Sequence, residues 1–126
     1  MPHDIYAGLH HVSILITDLE QARKFYCDVL GMAVDDSRPQ LAFEGLWLCI
    51  GQQQIHLLAL GETFSGTSAK SPGRDAHFAL LVNDINSIVQ RLDASSIQYN
   101  ASQSGRRALF CRDPDGNGIE FIELPG

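Results

Sequence analysis

HHVSILITDL (10–19) and AHFALLVNDI (76–85) decide the architecture of this chain. Both run His, six residues, Asp, hydrophobic: His11 recurs as His77 and Asp18 as Asp84, at one offset of 66 residues. Further along, QIHLLAL (54–60) answers to GIEFIEL (118–124), with His56 and Glu120 in register 64 residues apart. LWLC and ALFC align Cys49 with Cys111 at 62 residues, so the second copy gains two residues after its cysteine, within RDPDGNGI, where a turn absorbs them.

Each copy predicts strand, helix and then three strands, an α+β fold. Val12, Ile14 and Ile16 alternate with His11, Ser13 and Leu15, and Phe78, Leu80 and Val82 alternate with His77, Ala79 and Leu81, the period of a strand. Asp18 can cap a helix with Gln21 at its third position. Leu19, Ala22, Phe25, Tyr26 and Val29 recur at helical spacing up to Gly31. In the second copy Asp84 caps and Ile85, Ile88, Val89 and Leu92 form the stripe. Strands are expected near 32–37, 40–50, 53–60, 97–101, 106–112 and 118–124. One domain is expected, with module one at about 8–60, module two at about 76–124 and GETFSGTSAKSPGRD (61–75) as a connector or a flap between them.

Nine Lys and Arg against fifteen Asp and Glu leave a formal net charge of −6, which repels phosphate backbones and argues against nucleic acid. No apolar run approaches the ~18 residues of a membrane helix, and MPHDIY lacks the order of a secretory signal, so the cytoplasm is the expected location. Cys27, Cys49 and Cys111 are odd in number and far apart, which predicts reduced, mostly buried thiols.

The repeat places ligand-capable side chains on the first and last strand of each copy: His11, His56, His77 and Glu120. One such histidine is usually a core residue; four groups in register are a candidate metal set. Three imidazoles and a carboxylate suit Zn²⁺, Ni²⁺, Fe²⁺, Co²⁺ or Mn²⁺ better than Ca²⁺, with coordination positions left for a substrate. His10 is expected to point away from His11, because adjacent strand residues face opposite sides. Asp113, Asp115 and Asn117 imitate a calcium loop, but Leu124 stands where its glutamate belongs, so a hairpin turn is expected. Trp47, Phe43 and Phe110 are assigned to core packing.

LHHVSILITDLEQARKFYCDVLGM (9–32), HFALLVNDI (77–85) and RDPDGNGIEFIEL (112–124) resemble the vicinal oxygen chelate superfamily. That group holds glyoxalase I, extradiol dioxygenases, methylmalonyl-CoA epimerase, and fosfomycin and bleomycin resistance proteins. The resemblance covers nearly the whole chain. It implies paired βαβββ modules forming cup-shaped mixed sheets around one divalent metal, and a homodimer in which His11 and His56 of one subunit share the ion with His77 and Glu120 of the other. It also gives Glu120 the part of the base in glyoxalase I. The chain departs from the glutathione-using members at Leu15 and Leu60, where they carry arginine and asparagine, and has His56 where metal-binding glyoxalases commonly have glutamate.

The expected activity is that of a metal-dependent lyase or isomerase on a small oxygen-chelating substrate, without strict need of glutathione. Glu120 would move a proton next to a carbonyl. Ser13, Leu15, Leu58, Ala79, Leu81 and Ile122 would line an apolar pocket, and Arg106 or Arg107 would hold an anionic group, since alternation aims only one of them at a given face. Two alternatives remain open: an extradiol-type dioxygenase using His11, His77 and Glu120, and a non-catalytic drug-sequestering protein.

Overall fold

Alternation of apolar residues, the signal that predicts the strands, builds two four-stranded sheets, each mixed in direction. The computed structural model describes residues 5–61, 76–102 and 104–125; the expected connector lies, from residue 62 on, outside the described residues. The first sheet has the order β1 (His11–Ile16), β4 (Gln53–Ala59), β3 (Glu44–Ile50), β2 (Ala33–Val34), and the second the order β5 (His77–Val82), β8 (Gly118–Glu123), β7 (Ala108–Arg112), β6 (Tyr99–Ala101). In each, the first strand runs parallel to the last, and the other pairs are antiparallel. No helix among the described residues is long and apolar enough to cross a membrane.

The inward faces meet in one core: Ile14, Ile16, Leu48, Ile55 and Leu57 from the first sheet, Leu109, Cys111, Ile119 and Phe121 from the second. Two helices close it. Helix α1 (Leu19–Arg23) starts at Asp18, whose carboxylate accepts the Gln21 N–H as the sequence predicts. The single helix expected up to Gly31 instead widens into a π-helical stretch, Lys24–Val29, where the Leu30 amide bonds back to Phe25. There the neighbours Phe25 and Tyr26 are both buried, and Gly31 leaves the helix at φ +80°. Helix α2 (Ile85–Ala94) is capped by Asp84 and buries Ile85, Ile88 and Leu92.

The pairing corrects the cysteine alignment by one residue. Trp47 stands opposite His56 and Phe110 opposite Glu120, so Trp47 corresponds to Phe110 and Leu48 to Cys111. A slip of one flips a side chain to the other face. Leu48 and Cys111 are buried together in the core, whereas Cys49 is exposed, against the expectation of mostly buried thiols. Burial pushes the Cys111 thiol up to about 12.

RDPDGNG forms the β7–β8 turn and fastens the two halves. The buried Asp113 carboxylate accepts hydrogen bonds from Tyr26 Oη (2.7 Å), from the Asp115 and Asn117 amides (2.9 and 2.8 Å) and from Asn117 Nδ2 (2.8 Å). Burial raises its pKa, while these donors pull it back down. Asn117 Nδ2 also donates to the Leu15 carbonyl, and Thr17 donates through Oγ1 and its amide to Asp115.

Candidate metal centre

Parallel pairing of first and last strands sets the candidate ligands on diagonals. Ser13 lies opposite His56 and Ala79 opposite Glu120, so His11 and His77 each sit one same-face step from the ligand on the neighbouring strand. The His11 and His56 rings stack at 4.0 Å, and Trp47 covers the other side of His56 at 4.2 Å, 5° from parallel. In the second sheet His77 Nε2 lies 3.3 Å from Glu120 Oε1, and Phe110 meets the His77 ring edge-on at 5.4 Å.

One chain therefore makes two pairs and does not unite them: among the described residues no three His, Cys, Asp or Glu side chains are placed to hold one ion. His11 and His77 both line a cleft of about 440 Å³ between the halves. The chemistry of each pair fits a divalent ion. Burial, reinforced by the neighbouring His11, His10 and Arg38, lowers the pKa of His56, so its ring is kept neutral and able to coordinate. Glu120 is 5% exposed and offers a carboxylate beside a histidine. Each pair thus offers two ligand-capable side chains.

Glu120 Oε2 accepts from Arg106 Nη2 at 3.2 Å, and Arg106 Nε is held by Ser104 Oγ, also at 3.2 Å. More than half of the Arg106 side chain stays exposed. Arg107 points elsewhere: its Nε donates to Glu123 Oε1 at 2.6 Å, while Glu123 Oε2 accepts the Ile85 amide at the start of α2. The Ile85 amide and Arg107 hold the Glu123 carboxyl below its ordinary range.

Ser13 and Leu15 line a cleft that His77 also borders, while Leu58 and Ile122 are half-buried on the ligand-bearing faces. Ala79 and Leu81 are exposed, Leu81 by 65%.

Four residues depart from their sequence assignment, one of them away from the candidate ligands: Phe43, expected in the core, is half-buried and lies under the Arg38 guanidinium, 5.6 Å from its ring. His10 does not turn away from His11: its Nδ1 lies 2.8 Å from His11 Nδ1, because β1 begins only at His11 and strand alternation does not reach back to residue 10. Trp47 and Phe110 pack against candidate ligands instead of filling the core, because their registers place them opposite His56 and Glu120. The hairpin registers carry that signal, and an alignment on the cysteines is one residue out of step with it.

Residues 8–121 match the sequence profile of the Glyoxalase/Bleomycin resistance protein/Dioxygenase superfamily. Glyoxylase I 4 of Arabidopsis thaliana is 32% identical, over 90% of this chain and 69% of its own length. The mitochondrial methylmalonyl-CoA epimerase of Bos taurus is 27% identical, over 92% of this chain and 72% of its own. A crystal structure assigned to the glyoxalase family, from Bacillus anthracis, superposes with a TM-score of 0.74 at 25% identity, covering 98% of this chain and 99% of that one. The repeat, the paired mixed sheets and this match agree: the chain belongs to the glyoxalase, bleomycin resistance protein and dioxygenase superfamily.

Proposed function

We propose that this protein is a divalent-metal-dependent lyase or isomerase acting on a small oxygen-chelating substrate, and that it works as a homodimer. The observation that carries the reading is the matched pair of half-sites, His11 with His56 and His77 with Glu120. His11 and His56 of one subunit and His77 and Glu120 of the other would hold the ion; Zn²⁺, Ni²⁺, Fe²⁺, Co²⁺ and Mn²⁺ all suit this donor set. When bound, the ion polarises substrate oxygens. Glu120 takes the proton from the carbon next to a carbonyl and returns it at the adjoining position, with no net change in oxidation state. Relatives named as a glyoxylase and an epimerase support this class of reaction. Leu15 and Leu60 leave no charged group to hold glutathione at those positions.

Trp47 is the only tryptophan of the chain and stacks on His56, so its fluorescence reports occupancy directly. Titration with Ni²⁺ or Co²⁺ is expected to quench it saturably, at one ion per set of four ligands, and His56→Ala to abolish the quench. In the loaded protein Glu120→Gln is expected to slow exchange of solvent deuterium at the carbon next to the carbonyl by about a hundredfold to ten-thousandfold, measured across small α-oxygenated carbonyl compounds, with KM little changed. Unchanged exchange in that variant, with metal still bound, would rule the mechanism out.

Arg106 stands beside Glu120 with much of its guanidinium exposed, which suits it to hold a carboxylate or phosphonate on the substrate. A charged hydrogen bond is worth about 1.5–3 kcal/mol. Arg106→Ala is therefore expected to raise KM for anionic substrates about tenfold to a hundredfold and to leave their neutral esters nearly unaffected. An equal rise for both would assign Arg106 to the support of Glu120 alone.

A further inference from the structure

The segment between β2 and β3 carries a cation that the reading so far does not use. Arg38 Nη2 donates to the Phe43 carbonyl at 2.8 Å, and its guanidinium carbon lies 5.6 Å from the centre of the Phe43 ring. Among the described residues Arg38 makes no ion pair, although Glu44 borders the same cleft. A ring and a carbonyl thus hold a half-buried guanidinium in place, and only one of its N–H groups has an acceptor among the described residues.

Gly45 lets that guanidinium lie against the sheet. A Cβ there would run into the Leu57 carbonyl and stand 3.0 Å from Arg38 Nη2 and 3.3 Å from Nε. Leu46 and Leu48 face the core, while Trp47 stacks on His56, so Gly45 and Trp47 fall on the ligand-bearing side of β3. Gly45 stands opposite Leu58 and is therefore a diagonal neighbour of His56, and such neighbours lie about 7–8 Å apart. The Arg38 charge is also felt at the His56 ring. Arg38 borders a cleft of about 280 Å³ with Leu19, Gln40, Phe43 and Gly45.

We infer that Arg38 is a specificity-determining residue that binds an anionic group at the far end of the substrate. The substrate class is then a small chelating acid with a second acidic group a few carbon atoms from the chelating oxygens. The inference rests on the proposed metal centre and adds to it the chemistry of the substrate's other end. In the proposed dimer, Arg38 would come with the first ligand pair and Arg106 with the second, so the two guanidinium groups would serve opposite ends of one molecule. Phe43 and the Phe43 carbonyl fix the plane of the Arg38 fork, which suits two parallel hydrogen bonds to a carboxylate.

The first test uses the full-length, metal-free protein with ¹⁵N-labelled arginine at mildly acidic pH, where Nε–H groups exchange slowly. The Arg38 signal is assigned by its loss in Arg38→Lys. Glutarate is expected to move it saturably, and sodium chloride at equal ionic strength to leave it in place. The second test uses the Ni²⁺-loaded protein and calorimetry. It compares 2-hydroxyglutarate with 2-hydroxypentanoate, which has the same chelating head and an uncharged tail. The diacid is expected to bind about tenfold more tightly. Arg38→Gln is expected to remove that preference and Arg38→Lys to keep most of it. Near-ultraviolet circular dichroism confirms that each variant is folded.

Equal affinity for the two acids in the unaltered protein would overturn the inference. So would a preference that survives Arg38→Gln, which would assign the second acidic group to another cation. Absence of a saturable Ni²⁺ quench of Trp47 would overturn the metal-centre reading instead; the glutarate titration then decides on Arg38 alone, and an unmoved Arg38 signal would overturn its anion site.

Discussion

Refolded together from denaturant, the His11→Ala and Glu120→Gln variants are expected to regain about a quarter of the unaltered turnover per chain, although each is inactive alone. The arithmetic follows from closed twofold pairing. Random association makes half of the dimers mixed. When each site takes its first half from one subunit and its second half from the other, a mixed dimer carries one site with both defects and one site with none. When all four ligands come from the same chain, every site keeps one defect and nothing is regained. The basis for expecting recovery is that His11 with His56 and His77 with Glu120 are each assembled within one chain, while no three such groups meet there among the described residues. The faces that hold them also leave Ala79 and Leu81 exposed, as a surface completed by a second copy would. Activity measured after mixing, with each variant refolded alone as the control, decides the point.

The second large effect is on stability. Asp113→Ala is expected to cost about 3 kcal/mol, because the Tyr26 hydroxyl and three N–H groups lose their acceptor in a buried place. Tyr26→Phe removes one of those donors and is expected to cost about 1 kcal/mol. Denaturant midpoints at constant slope measure both. A loss below that of Tyr26→Phe for Asp113→Ala would show that the turn does not fasten the halves. Metal affinity is expected to change little in Tyr26→Phe, since Tyr26 lies in the core away from both ligand pairs.

Much of this was legible before any coordinates, because alternation along β1 and β5 and the capping aspartates are local signals. His11 and His77 start corresponding strands, and Asp18 and Asp84 accept amides as their spacing implies. What escaped were features set by parity and by distant neighbours. The shared lettering of Cys49 and Cys111 does not set a strand register, which is a choice between two faces, and the ladders place Cys49 on the face opposite that of Leu48. Phe25 and Tyr26 are both buried as helical spacing implies, but that spacing does not tell the π-helical stretch in which they lie from an α-helix. The contact of His10 with His11 lies just before β1, where no strand rule applies. The hydrogen bonds that join Gln54 to Asp35 and to His56 link residues whose nearness depends on how β4 and the segment after β2 are laid side by side.

A protein assembled from two near-duplicates must keep each half from treating its sibling as interchangeable. The hairpin between β3 and β4 turns tightly at Gly51, whereas its counterpart carries Asp113, Asp115 and Asn117. Only that second hairpin can grip Leu15, Thr17 and Tyr26, so the grip has a direction. The near-symmetry of the two modules is thereby broken at this turn, and the molecule gains a built-in left and right.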